Sequence, residues 1–379
     1  MNPYLLMSLF YLSLAVAATV GSSLVTFDLL PAASALRWLR VHFITLGTVT
    51  QMLFGVLPVL AAAKAGRPRP SVRWSVWLVF NTGLLALLIG IPTANRFMMI
   101  MGGSLILAAT LLLLRQLLQE SGLGNRRLTH GRWSGGTRFY IAGLSYLLLG
   151  AFIGTGLYLG WGAWLHLPAP KEVHVHSNLW GYAALVFAGL LVDLPICGAK
   201  GCRSLLDSRR LNAIFLLMVS GAFGMALGPW IENTVIESGG LILHTVGTVW
   251  LLAGIVRDLR AARDRGVWTA GRLHILTGFA WFLVAAAMGP IVVFLPQGSV
   301  ARSLASQGGP LLIYGWLMQF GLAILPYLFG RALAPQKAAA FGGNTISLVA
   351  ANLGAVLYLA GLLIPGFGTI LQGVAFLSW

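Results

Sequence analysis

Long apolar runs separated by short, basic punctuation dominate this chain, and the runs are of nearly constant length. Twelve can be marked, near 4–27, 40–62, 74–93, 97–118, 138–162, 174–197, 209–229, 239–257, 271–295, 309–331, 343–364 and 366–379. A hydrocarbon core about 30 Å thick needs roughly 20 apolar residues of helix to cross it. Each run therefore predicts a transmembrane helix; the last is short and is expected to end inside the membrane or lie tilted. The first run has the small residues of a signal peptide but no basic residue ahead of its apolar stretch. It is read as a true span. The run inside Lys171–Pro195, KEVHVHSNLWGYAALVFAGLLVDLP, is the one around which the others are organised.

Composition narrows the class. The 379 residues are 58% hydrophobic and 9% charged, where soluble domains carry about 25% charged residues. No polar linker divides the chain, so the expectation is one all-α transmembrane domain over 1–379. The net charge of +16 could point to nucleic acid, but its placement argues for topology. Of the 25 Lys and Arg residues, 20 fall in the loops after even-numbered helices. Only Arg37, Arg40, Arg96, Lys171 and Arg302 fall after odd-numbered ones. By the positive-inside rule both termini are expected on the cytoplasmic side of a prokaryotic-type inner or plasma membrane, with no nucleic acid partner.

The punctuation also repeats. His42 and His176, Gly47 and Gly181, and Gly55 and Gly189 are each 134 residues apart, and Gly315 lies another 134 beyond Gly181. Gln51 and Gln319, like Pro58 and Pro326, are separated by 268. Arg69, Arg203 and Lys337 keep the same step. A fixed period is the mark of repeated architecture. It predicts three blocks of four helices, roughly 1–134, 135–268 and 269–379, in which helices two, six and ten are equivalent.

Chemistry-bearing side chains are few. His42, His174, His176 and His244 all fall near the starts of even helices and so share one leaflet. His244 lies seven residues beyond Glu237, about 10 Å deep at 1.5 Å per residue. An ionisable group at such depth is a functional candidate, and neutral imidazole suits haem iron and copper. The plainer reading is a bond between helices. On a regular helix His174 and His176 point about 200° apart, so both cannot hold one metal. His166 and Glu172 could complete a surface site; His130 and His274 are expected in interfacial packing or loop bonds. Intramembrane polar residues are Gln51, Asn178, Asp193, Asn212 and Gln319. Gln51 and Gln319 are expected to bond across the pseudo-threefold centre. Asp193 either pairs with a loop arginine or takes up protons. Cys197 and Cys202, in CGAKGC, are read as two free thiols.

The segments RVHFITLGTVTQMLFGVLP in helix two and HVHSNLWGYAALVFAGLLVDLP in helix six, set in twelve helices with three arcs, resemble the catalytic subunit of the haem–copper oxidase superfamily. That superfamily includes terminal oxidases and nitric oxide reductases. The resemblance implies His42 as an axial haem ligand and His176 or His174 as a copper ligand, with His244 added as a further ligand from its depth. It also implies an electron-donor protein or quinol and partner subunits. The departures are equally specific. Helix ten has no histidine, Pro310 standing where the repeat would place one; helix seven has none either, and Trp180 replaces a tyrosine. The expectation is a divergent, haem–copper-oxidase-like protein performing haem- or copper-based redox chemistry, as an oxidoreductase, or binding a gas ligand near the outer face. The alternatives are a non-enzymatic haem- or copper-handling protein or transporter, and an accessory subunit with the inherited fold.

Overall fold

A computed structural model describes residues 2–32, 35–121, 135–197, 202, 207–261, 268–295, 298–333, 338–364 and 366–379. Every regular element among them is helical. Ten helices are long and apolar enough to cross a membrane: α1 (Pro3–Thr26), α2 (Leu36–Lys64), α4 (Arg96–Glu120), α5 (Gly135–Leu159), α6 (Pro170–Asp193), α7 (Ser208–Trp230), α8 (Thr234–Ala261), α9 (Ala270–Phe294), α10 (Leu311–Leu333) and α11 (Thr345–Leu363). Two apolar helices are shorter, α3 (Trp74–Gly90) and α12 (Gly368–Ser378). The protein is thus an all-α integral membrane protein, and the ends of the helices fall within a few residues of those the apolar runs predict.

The helices divide by burial in a way the apolar runs do not show. The most apolar stretches of α2, α6 and α10 are 72%, 78% and 72% buried, against 28–50% for the other seven long spans. In a bilayer the exposed faces meet lipid tails, which are as apolar as a protein core. Hydrophobicity alone therefore cannot separate an enclosed helix from a peripheral one.

The same three helices share a local irregularity. Each contains a π-helical segment, Phe43–Thr50, Ser177–Ala183 and Leu311–Met318. Successive segments start 134 residues apart, the step of the repeat. In the first, the hydroxyls of Thr48 and Thr50 donate to the carbonyls of Phe43 and Thr45, five residues back, at 3.0 and 2.8 Å. Ser8 donates to the Thr48 carbonyl at 3.0 Å. Carbonyls that a widened turn leaves poorly served are thereby satisfied.

Each π segment has a glycine near its middle, and each glycine lies under an aromatic ring of the preceding long span. A Cβ on Gly47 would stand 2.5 Å from Tyr11, one on Gly181 2.4 Å from Tyr146, and one on Gly315 3.2 Å from Trp281. The glycines seen as repeat marks are therefore places of close helix approach.

The chain forms two compact units, Met1–Leu53 with Trp268–Trp379, and Phe54–Val267. In the first, α1 packs on the π segment of α2 and on α12, α9 packs on α10, and α11 packs on α12. In the second, α3 pairs with α4, α4 with α5, α5 with α6, and α7 with α8. One unit boundary coincides with the repeat boundary near 268, while the other falls inside α2.

Candidate functional site: histidines fixed by backbone carbonyls

His42 belongs to the first unit, and His174, His176 and His244 to the second; each group is described within its own unit. His42 and His176 occupy the same place in their repeats, each being the residue immediately before a π segment. The third such position is Pro310.

The His42 ring stacks on Trp38, with centroids 4.1 Å apart and planes at 19°. Its Nδ1 lies 2.9 Å from the Trp38 carbonyl, one turn earlier. A carbonyl oxygen only accepts, so Nδ1 carries the proton and Nε2 the lone pair. His174 and His176 follow the same rule. His174 Nδ1 donates to the Gly150 carbonyl on α5 at 2.8 Å, and His176 Nδ1 donates to the Met225 carbonyl on α7 at 2.8 Å. The two rings thus go to different neighbouring helices, as their spacing on one helix requires. Glu237 Oε1 is 3.9 Å from His176 Nδ1. A metal-ligating histidine is ordinarily oriented in this manner, its non-ligating N–H held by a carbonyl or carboxylate. His42, His174 and His176 therefore fit ligation through Nε2.

His244 is arranged differently. It is fully buried, its Nε2 donates to the Trp180 carbonyl at 3.1 Å, and the Thr248 hydroxyl lies 3.3 Å from Nδ1. Its ring meets Trp180 edge-on, with centroids 5.3 Å apart. The Nε2 bond links α8 to the π segment of α6, and the Thr248 hydroxyl donates its proton to the His244 carbonyl at 2.9 Å. Among the described residues, the three histidines of this unit form no cluster of three ligand atoms within bonding distance of one ion. His166 and Glu172 form none either.

Several expectations are corrected. Cys197 and Cys202 are joined as a disulfide, their Cα atoms 5.1 Å apart; they are not free thiols. The Asp258 carboxylate lies close to the two sulfurs, but the sulfurs are bonded to each other and offer no thiolate pair. Asp193 pairs with Lys64 of α2, at 3.4 Å, in place of a loop arginine, and accepts from the Tyr140 hydroxyl at 2.9 Å. Gln319 does not bond to Gln51. Its Nε2 donates to Gly315 O at 3.0 Å and meets Asn352 Oδ1 at 3.5 Å, while its Oε1 accepts from Thr277 at 3.0 Å and from His274 at 3.2 Å. All four partners lie in the third repeat. Gln51 is fully buried.

His274, placed at the interface by sequence, is fully buried, its second nitrogen meeting Ser347 Oγ at 2.9 Å. Asn178 donates its side-chain N–H to the His174 carbonyl, one turn earlier, at 2.8 Å. Asn212 accepts from Arg138. His130 lies outside the described residues.

Sequence reasoning passed over Lys64, Tyr140 and Arg40. Arg40 did carry a signal, since it is one of five basic residues that stand against the charge bias. No protein-family model matches the chain, and no curated protein matches it.

Proposed function

We propose that the chain is a divergent haem–copper-oxidase-like protein of twelve spans in three four-helix arcs, with both termini cytoplasmic. Its work is haem- or copper-based redox chemistry or gas-ligand binding near the outer face. The observation that carries this reading is the shared fixing of His42, His174 and His176. Three imidazoles on the enclosed helices α2 and α6 each give Nδ1–H to a backbone carbonyl and keep Nε2 as the lone-pair nitrogen. His42 and His176 do so at equivalent places, each before a π segment, and such segments collect at functional sites.

In this reading His42 would hold haem in the first unit and His176 or His174 would hold haem or copper in the second. Such a group, when bound, would supply one-electron chemistry or gas binding. The chain's own residues orient and enclose it. The Trp38 stack fixes the plane of the His42 ring, Met225 and Gly150 fix the azimuths of His176 and His174, and His244 holds the Trp180 carbonyl. A partner subunit or membrane quinol would deliver electrons.

The test is an absorption spectrum with haem and metal analysis of detergent-purified protein. A Soret band with reduced α/β bands is expected, removed by His42→Ala; metal content is expected to fall in His176→Ala. His244→Ala is expected to keep both while lowering stability by about 1–3 kcal/mol, the cost of a lost buried hydrogen bond. A colourless, metal-free wild type defeats the proposal.

A further inference from the structure

Arg40, in the second turn of α2, is 6% exposed. Its guanidinium carbon lies 4.2 Å from the centre of the Phe376 ring and 5.7 Å from that of Tyr314. Trp379 stacks on Tyr314 at 4.6 Å and lies 5.5 Å from Tyr358, which is itself 5.5 Å from Phe376. Two rings thus face the charge, and Trp379 and Tyr358 pack against those rings. Among the described residues Arg40 makes no hydrogen bond or ion pair, and its Nε is a buried donor without an acceptor.

The neighbouring polar groups do not neutralise it. Tyr358 donates its hydroxyl to the Gln307 carbonyl at 2.9 Å. The Thr19 hydroxyl donates to Ala15 O at 2.7 Å, so the Tyr314 hydroxyl, 2.8 Å from Thr19 Oγ1, is the donor of that pair. Arg37, a second cation on the same helix, donates to the Ser306 carbonyl. The unit formed by Met1–Leu53 and Trp268–Trp379 contains one acidic side chain, Asp28, and it forms no ion pair with Arg40 among the described residues. Cation–π attraction offsets part of the cost of burying a guanidinium. A buried charge ordinarily has an anion as well.

We infer that Arg40 is the anchor of a binding site for an oxyanion, a phosphate group carried by an anionic phospholipid or supplied as free phosphate. A guanidinium offers five N–H donors in a planar fork that matches phosphate oxygens. The segments leading into α2 and α12 carry exposed apolar side chains, Leu29, Leu30, Ile364 and Phe367, against which acyl chains can lie.

The test uses the full chain in nanodiscs of phosphatidylcholine, with or without phosphatidylglycerol, and with inorganic phosphate as a separate titrant. Retained lipid is measured by mass spectrometry after detergent exchange, and stability as melting temperature. Wild type is expected to retain phosphatidylglycerol several-fold over its bulk share and to melt higher in discs that contain it. Arg40→Gln loses both effects, Arg40→Lys keeps part, and Arg96→Gln, which removes the arginine opening α4, keeps all. A melting shift with inorganic phosphate in phosphatidylcholine discs, absent from Arg40→Gln, assigns the site to a soluble oxyanion; a response to phosphatidylglycerol alone assigns it to the headgroup. Equal responses of wild type and Arg40→Gln overturn the inference. If Arg40→Gln does not fold, a wild type that neither enriches phosphatidylglycerol nor responds to phosphate overturns it.

Discussion

A neutral imidazole has one proton to give, and the partner that takes it decides which nitrogen can meet a metal. That distinction separates residues that the sequence treats alike. His176 and His244 both sit in the early turns of even helices, yet one donates through Nδ1 and the other through Nε2. The partners are carbonyls of Met225 and Trp180, backbone groups of other helices, and no side-chain pattern announces them. Asp193 poses a second problem of partners. Its side chain is 1% exposed while that of Lys64 is 41% exposed. Lys64→Met therefore strands a buried carboxylate, held only by Tyr140 and the Gly136 backbone. The expected loss is about 1–3 kcal/mol, below that of a fully enclosed pair because the ammonium is half in solvent. Asp193→Asn in the Lys64→Met background should recover most of it. A double-mutant cycle on unfolding in detergent checks this; single losses that sum to the loss of the double variant would show that the pair is not coupled.

At the scale of the element, the decisive feature is the meeting of a glycine with an aromatic ring at each π segment. A Cβ within 3 Å of a ring forces backbone or ring to move, and overpacking of this sort costs about 1–3 kcal/mol. Gly47→Ala and Gly181→Ala, at 2.5 and 2.4 Å, should be clearly destabilising. Gly315→Ala, at 3.2 Å, should lie near the lower end. Melting temperatures of the three variants give the order, and a Gly315→Ala effect as large as the others would contradict it. The period of 134 revealed these glycines, because they stay fixed while their neighbours vary between copies. It did not reveal the π segments, since Phe43–Thr50, Ser177–Ala183 and Leu311–Met318 share no residue at an equivalent position beyond the glycine. A one-residue widening of a helix leaves the apolar run unbroken.

For the molecule as a whole, the membrane class and the helix ends were readable because lipid imposes length and apolarity on every span. Which spans are enclosed was not readable, for the same reason: α1 and α2 are equally apolar, yet 33% and 72% buried. The disulfide was missed because Cys197 and Cys202 are five apart, which fits a clasp as well as two separate thiols. Gln51 and Gln319 were matched by the repeat, but Gln319 spends its amide on its own block.

The π segment persists in all three copies, while the residue ahead of it is His42, His176 and then Pro310. The irregular turn therefore forms with or without an imidazole ahead of it. Pro310→His inserts the missing ring at the equivalent backbone position without disturbing His42 or His176. If the turn is what equips this position to present a ligand, the variant should take up extra haem or copper relative to wild type, read as metal per chain. An unchanged content would mean that the scaffold has been kept for packing alone.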